Sequence, residues 1–526
     1  MNPDTGVLVS GRAGAAPPGS SDVIVAAVRA LDRAVEFAVD TRARDGAWYV
    51  LSEPRVLENA VAACSLAGVE RARPARERVL RWLDGAVPQG HDALVSAADR
   101  WLAALNRGRA PVTFEPPPAY EGPQARRVLY LQALGCAVGA EGADARGLLT
   151  RARAALGPDR GRGVKPWQRA MLLAFEAIAC AALGMPLPAG TLETWQGTQS
   201  ADGSFSGMPL VTGMLHLALT RAAPDHPMTR RCRDALLAAQ QPDGTWRFLV
   251  SEVWDTGLMV RALRGHPCFD ADTLPASLEF LALAQREDGG WACTAALESD
   301  NDSTGNTLLA LAGTAWADQA RTAAARYALR HRTPEGLWTT WHSGDDDPAP
   351  DVVAHMVAGI DAAALPGIDL APARSWLASL ATGGGWSSGW YIPPAYGAAE
   401  IGPALGPHPA NRAAARELLA TQRADGGWPR IAGEPHSSPT ATGLALSALT
   451  TGAADPTGAA LIRGLGFLVD SQTSGGSWHD RPVMYGPRPF LTVTATQVHA
   501  LAARGLRDAL GAVGTAPLDH GPRSGA

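Results

Sequence analysis

A chain of 526 residues that is 46% hydrophobic and 18% charged has apolar substance for two cores of ordinary domain size, and it reads as globular. A net charge of −5 and a pI near 6.2 supply no basic field for nucleic acid, and no Lys/Arg-rich arm is present. Six cysteines (Cys64, Cys136, Cys180, Cys232, Cys268 and Cys293), with no CxxC pair and no His at metal spacing, argue against a disulfide framework or a structural zinc, and read as reduced core residues.

The opening MNPDTGVLVSGRAGAAPPGSSD lacks a charged segment followed by a long apolar one. No run of about 18 apolar residues follows, so no stable membrane insertion is expected. The expectation is a cytoplasmic protein with flexible ends at 1–20 and 512–526. A turn, RARDGAW, ends at Trp48, and the next similar turn ends at Phe205, 157 residues later. The intervening sequence has helical stretches around Leu80–Trp82, Ala97–Leu105 and Trp167–Leu183, which predicts a second helical domain inserted after the first helix. A boundary is placed near 225–235, in AAPDHPMTRR, on its Pro, Asp and charge. The resulting division is 21–47 with 231–511 as one domain and 48–230 as the insert. The insert carries Lys165, the sole lysine of the chain, four residues before Arg169 in GVKPWQRAML.

From Phe205 onward one unit recurs: an apolar helical stretch ends at Gln, and an aromatic follows six residues later through Asp-Gly or Gly-Gly. The copies are QSADGSF, QQPDGTW, QREDGGW, QRADGGW and QTSGGSW, with weaker forms RTPEGLW and LATGGGW, and their aromatics lie 41 to 50 residues apart. That period holds two helices and two connections. Asp-Gly and Gly-Gly provide the positive φ of a helix-ending turn, and Gln can bond the ends of neighbouring helices. The prediction is an all-α array of helical hairpins, open or closed into a double ring.

Each aromatic is followed by a Thr-initiated apolar helix: VTGMLHLAL, DTGLMVRAL, STGNTLLAL, TATGLALSAL and TVTATQVHAL. Aligned on Thr-Gly, the place of Asp302 is held elsewhere by Leu210, Trp254, Thr440 and Thr494, and that of Asp300 by Met208, Glu252, Ser438 and Thr492. Asp, Ser and Thr before a helix are ordinary caps, but capping in this repeat does not require a carboxylate at 302. Two carboxyls so close repel when both ionise, and burial adds to that, so one should hold its proton near neutral pH and serve as an acid.

The Gln-to-Trp repeats, together with one Asp-x-Asp before a helix, resemble the class II terpene cyclases, the group of squalene-hopene cyclases and copalyl diphosphate synthases. The resemblance covers nearly the whole chain, including LDRAVEFAVDTRARDGAWYVLSEPRVLENAVAACSLAG. It implies two α/α barrels with the active site between them. It also implies a DxDD motif whose middle Asp protonates an alkene or epoxide. DNDS at 300–303 matches the motif at Asp300 and Asp302, which makes Asp302 the general acid and Asp300 its neighbour. Ser303 and Thr304 replace the third Asp and its follower, and this form is closer to the DxDTT of drimenyl diphosphate synthases. The implied activity is cyclisation of farnesyl diphosphate to a bicyclic drimenyl diphosphate with the diphosphate retained. Geranylgeranyl diphosphate to a copalyl-type product is the alternative.

A carbocation needs a dry cavity lined by groups that stabilise charge without trapping it, and aromatic faces do so at roughly 0.5–2 kcal/mol each. Trp167, Trp254, Trp341 and Trp390 are the candidates outside the repeat turns, with core packing as the alternative for each. Some hopene cyclases carry a histidine partner for the acid ahead of a repeat turn. SLATGGGW has none there, so no such partner is expected. For the diphosphate, placed at the far end of the cavity, Lys165 and Arg169 are the candidates. Glu53 and Glu58 in SEPRVLE resemble the Mg²⁺-associated acidic element of bacterial diphosphate cyclases, with solvated helix-start charges as the alternative. Asp345, Asp346 and Asp347 with Asp351 do not fit DDxxD and are expected in a solvated loop.

The implied partners are a prenyl diphosphate substrate, Mg²⁺ carried with it, and a second copy of the chain in a homodimer. A protein prenyltransferase subunit would need a zinc site with Asp-x-Cys, which is absent. A helical-repeat binding scaffold would leave Asp302 without a reason to break the repeat.

Overall fold

The computed structural model describes residues 20–86, 93–106, 129–341, 347–382, 385–452, 458–486 and 490–514. The ends expected to be flexible lie outside these residues, except for Ser20, which starts the first helix, Ala512, which ends the last, and the turn at 513–514. Helix dominates. The strands among the described residues are two short antiparallel pairs, Trp428–Pro429 with Ser437–Ser438 and Met484–Tyr485 with Leu491–Thr492.

The repeat turn shows why the sequence recurs. In QREDGGW, Gly289 takes φ +92°, and a Cβ there would lie 2.3 Å from the carbonyl oxygen of Ala323 on the next outer helix. Only glycine permits both the conformation and that approach. The Gln285 amide donates to Gly289 O and to Ala320 O, both at 2.9 Å, so one side chain joins the turn to the neighbouring helix. The fully buried Trp291 folds back, and its Nε1 donates to Leu281 O at 2.7 Å. Its backbone N–H donates to Thr304 Oγ1 at 2.9 Å, which fixes the following helix. Gln422 and Trp428 repeat the same bonds with Gly426, Ala460, Leu418 and Thr442.

Six helices, Glu252–Leu263, Asn301–Leu311, Pro350–Ala362, Pro394–Leu405, Pro439–Gly452 and Ala495–Ala512, touch in succession, and the last returns to the first. The helices between them in sequence pack outside this ring. The N-terminal helix Ser20–Thr41 completes the outer layer beside Gly458–Ser471. Gln472 makes this join, donating to Ala30 O at 2.8 Å while accepting from Arg33 at 2.6 Å.

A second core gathers Val56 through Trp246, with Val56–Ser65, Pro209–Ala222, Pro166–Ala182 and Leu129–Val138 packed in sequence around it. The expected limits of 48 and 230 move. Trp48 is buried in the ring's core, whereas Pro227–Ala238 and Trp246 belong to the insert. The reason is the repeat itself: Gln240 donates to Ala75 O at 2.8 Å and Trp246 N–H to Asn59 Oδ1 at 2.8 Å, so this copy closes the second core. The loops feeding the inner helices face the insert. Ala292, Leu297 and Phe490 from those loops join its core, and Arg55 donates to Leu491 O at 3.2 Å.

Candidate active site

The start of the Asn301–Leu311 helix divides the labour between its two aspartates. Asp300 is the N-cap: Oδ1 accepts from Ser303 N–H at 2.7 Å and Oδ2 from Ser303 Oγ at 2.8 Å. Burial pushes its carboxyl up to about 7, against the bonds from Ser303 and with a contribution from the charge of Asp302. Thr304 Oγ donates to Asp300 O at 2.7 Å and receives the Trp291 N–H. Ser303 and Thr304, expected as part of the acid motif, are thus committed to the helix start and the repeat turn.

Asp302, 9% exposed, has its Oδ1 2.6 Å from His355 Nδ1, while Oδ2 has no hydrogen-bond partner among the described residues. Burial is the main cause raising its carboxyl above the ordinary range. His355 opposes that shift, and Asp351 and Glu400 add to it. Repulsion between Asp300 and Asp302, the cause expected from sequence, is secondary to burial in Asp300 and does not figure for Asp302.

The absence of a histidine partner is corrected. His355 comes from the next inner helix, Pro350–Ala362, rather than from the stretch before Trp386. Its Nε2 lies 3.1 Å from Glu400 Oε2, and Glu400 is bound by Arg261 at 2.6 Å and by Arg504. Burial alone would lower the pKa of His355, but Asp302 and Glu400 outweigh it and hold the ring at about 9. Burial likewise opposes ionisation of Glu400, and the two arginines keep it well below the carboxylate range.

Aromatic rings surround this group. The Trp254 ring stands 5.7 Å from that of His355, and Tyr396, stacked on Tyr391 at 4.1 Å, meets His355 at 6.4 Å. Trp167, Trp341 and Trp390 form an edge-to-face series with centroids 5.9 and 5.8 Å apart, linking insert and ring. The structure therefore brings the four predicted tryptophans to two places: one beside the histidine and three in a row. Asp351, expected in a solvated loop, is buried and accepts from Ser388 Oγ at 2.6 Å and from the N–H groups of Gly389 and Trp390. That bond anchors the last ring of the row. Asp347 is exposed, and Asp345 and Asp346 lie outside the described residues.

The cationic candidates are not placed together at a far end. Lys165 caps the Pro166–Ala182 helix, is buried, and its Nζ donates to Ser299 O beside the acid motif. Burial lowers its pKa, and Asp300, Glu298 and Asp288 oppose that. Arg169 turns to its own domain, donating to Arg160 O at 3.0 Å.

Glu53 and Glu58 do not fit a shared Mg²⁺. Both oxygens of the buried Glu58 are taken by Arg55, at 2.7 and 2.5 Å, while the exposed Glu53 lies 4.0 Å from Arg247. No cluster of three or more His, Cys, Asp or Glu able to hold a metal occurs among the described residues. A cleft of about 1110 Å³, lined by Tyr49, Glu252, Phe280, Leu283, Asp288 and Glu298 among others, does not include Asp302.

Residues 210–338, which contain Asp300, Asp302 and three repeat turns, match the squalene-hopene cyclase C-terminal domain family. Among solved structures, ent-copalyl diphosphate synthase from Streptomyces platensis superposes on 93% of this chain and 99% of its own, with a TM-score of 0.57 at 19% identity. The chain thus has the fold of the class II terpene cyclases.

It is also similar in sequence to two drimenyl diphosphate synthases. It is 31% identical over 333 residues to that of Streptantibioticus cattleyicolor, across 57% of this chain and 61% of the relative. It is 30% identical over 340 residues to that of Streptomyces showdoensis, across 61% of this chain and 55% of the relative. The matched segments span less than two thirds of either relative.

Proposed function

We propose that the protein is a class II terpene cyclase that converts farnesyl diphosphate to drimenyl diphosphate. The observation that carries this reading is the buried carboxyl of Asp302, with one oxygen bound to His355, whose ring stands against Trp254, and the other without a hydrogen-bond partner among the described residues. A proton on Oδ2 passes to the terminal alkene carbon, forming a C–H bond and a tertiary cation. The two remaining double bonds attack in turn, two C–C bonds close two rings, and loss of a ring proton forms the final double bond. The composition of the substrate is unchanged and its C–O bond to diphosphate stays intact. Aromatic faces offset the travelling charge by roughly 0.5–2 kcal/mol each without capturing it. The similarity to two drimenyl diphosphate synthases supports the shorter substrate.

Incubation with farnesyl and geranylgeranyl diphosphate, dephosphorylation and gas chromatography test the reading. Drimenol is the expected product, and copalol alone from the longer substrate would overturn the substrate assignment. Asp302→Asn should lower turnover at least about 10³-fold with the fold retained by circular dichroism.

The same proposal has Mg²⁺ arriving with the diphosphate, so chelation by EDTA should slow turnover even where Glu53 is replaced by Gln. A cytoplasmic location and a homodimer belong to the proposal as well, and light scattering checks the latter. No helix among the described residues is long and apolar enough to cross a membrane.

A further inference from the structure

Glu400 sits in the apolar run YGAAEIGPAL on the Pro394–Leu405 helix and is 3% exposed. Its oxygens face three bases. Oε2 meets His355 Nε2 at 3.1 Å and Arg261 Nη2 at 2.6 Å, and Oε1 meets Arg504 Nη1. The arginines rise from the inner helices Glu252–Leu263 and Ala495–Ala512, and both are held in turn. Arg261 donates to Asn306 Oδ1 at 2.8 Å, on the helix that carries Asp302, and Arg504 donates to Ala399 O at 3.2 Å. Five of the six inner helices therefore contribute to one buried chain of charges that ends on the acid.

Such a chain is an uneconomical way to hold helices together, because packed apolar residues of similar volume often serve as well or better. Its geometry has a specific effect on the histidine. The anion at Nε2 fixes a proton there, so a neutral ring would present a bare Nδ1 to Asp302 and draw the acid's own proton away from substrate. Only the doubly protonated ring donates through Nδ1 to Oδ1, which leaves the proton on Oδ2 and stabilises the carboxylate that remains after transfer. We propose that Glu400, clamped by Arg261 and Arg504, is a positioning residue that keeps His355 protonated on both nitrogens and thereby strengthens Asp302 as an acid. The arginines prevent Glu400 from taking the proton itself. The other groups against the His355 ring are Asp302 from the preceding inner helix, Trp254, and Tyr396, which is stacked on Tyr391, and none of these is a cation.

This inference rests on Asp302 being the acid, and its test separates the two. Glu400→Gln keeps size and hydrogen bonding but removes the charge. With farnesyl diphosphate, kcat near neutral pH should fall about 10²-fold with KM unchanged, and the alkaline limb of the kcat profile should move down by about one pH unit or more. Glu400→Asp should return that limb part of the way, and it serves in place of Glu400→Gln if the latter does not fold. A loss of kcat with the limb unmoved would make Glu400 merely structural and overturn the proposal.

An independent readout needs no substrate. In ¹⁵N-histidine-labelled protein, with the ring of His355 assigned by its loss in His355→Asn, the wild-type ring should be doubly protonated at pH 7.5 and the Glu400→Gln ring neutral. A neutral wild-type ring sinks the proposal. Full activity in Asp302→Asn would instead sink the acid assignment and leave this titration standing.

Discussion

Asp302 differs from its counterparts in the other repeats, which are Leu, Trp and Thr, by carrying a buried carboxyl with one oxygen on the His355 ring. His355→Asn should therefore reduce kcat by about 10²-fold and leave KM near its starting value, read in steady-state kinetics with farnesyl diphosphate. A different buried carboxyl provides a stability test. Asp255 is pushed up to about 7, chiefly by burial, while its bonds from Gln497 and Ser251 oppose the shift. A carboxyl whose pKa is raised by folding binds more protons in the folded state, so its cost grows as pH rises from the unfolded value near 3.8 through about 7. Asp255→Asn should thus melt higher than the parent at pH 8, with the gap closing toward pH 4, as followed by calorimetry. Asp302 was legible in the sequence because the chain contains its own controls, the Leu, Trp and Thr of the sister repeats. His355 and Glu400 were not, because His355 meets Asp302 across 53 positions of chain, Glu400 meets His355 across 45, and no local motif joins them. The available signal was an ionisable residue inside each of two apolar runs, VVAHMV and GAAEIG, one and two inner helices after that of Asp302.

At the scale of the element, the unit is a turn whose every residue type answers a spatial demand. The glycine meets a neighbouring backbone, the glutamine bridges two carbonyls, and the tryptophan returns to its own helix. At Gly426, φ is +87° and an added Cβ would lie 2.3 Å from Arg463 O, so alanine should cost more than about 1 kcal/mol in chemical denaturation. Trp428→Ala should cost about 3–5 kcal/mol, since a buried ring and an Nε1 bond of 2.7 Å are both lost. These elements were readable because the bonds are local, most of them within ten residues. Closure of the ring was not readable, because the period is compatible with either an open or a closed array. The contacts that decide it bring Ala495–Ala512 back to Glu252–Leu263, as in the bond from Gln497 to Asp255, 242 positions apart.

At the scale of the whole molecule, two cores meet where the loops preceding the inner helices face the insert, and Lys165 crosses that boundary to the carbonyl of Ser299. Lys165→Met should leave the fold intact and raise amide exchange at 299–304, measured by mass spectrometry, because the segment before Asp300 loses its lysine tie. The domain limits were misplaced because a repeat turn marks a helical hairpin and not the core it serves. The copy at 240–246 belongs to the insert although it follows the Pro-rich linker pattern.

The join between Ser20–Thr41 and Gly458–Ser471 also bears on how the chain comes off the ribosome. Ala30 of the first of these helices is made 442 residues before its partner Gln472, a wait of roughly 20–90 s at ordinary elongation rates. The insert has all of its helices by Trp246 and can settle during that wait. Until nearly the end of translation the amphipathic first helix lacks its outer neighbour and has only earlier partners such as His266 against Asp32, a standing opportunity for chaperones and for pairing with another nascent copy.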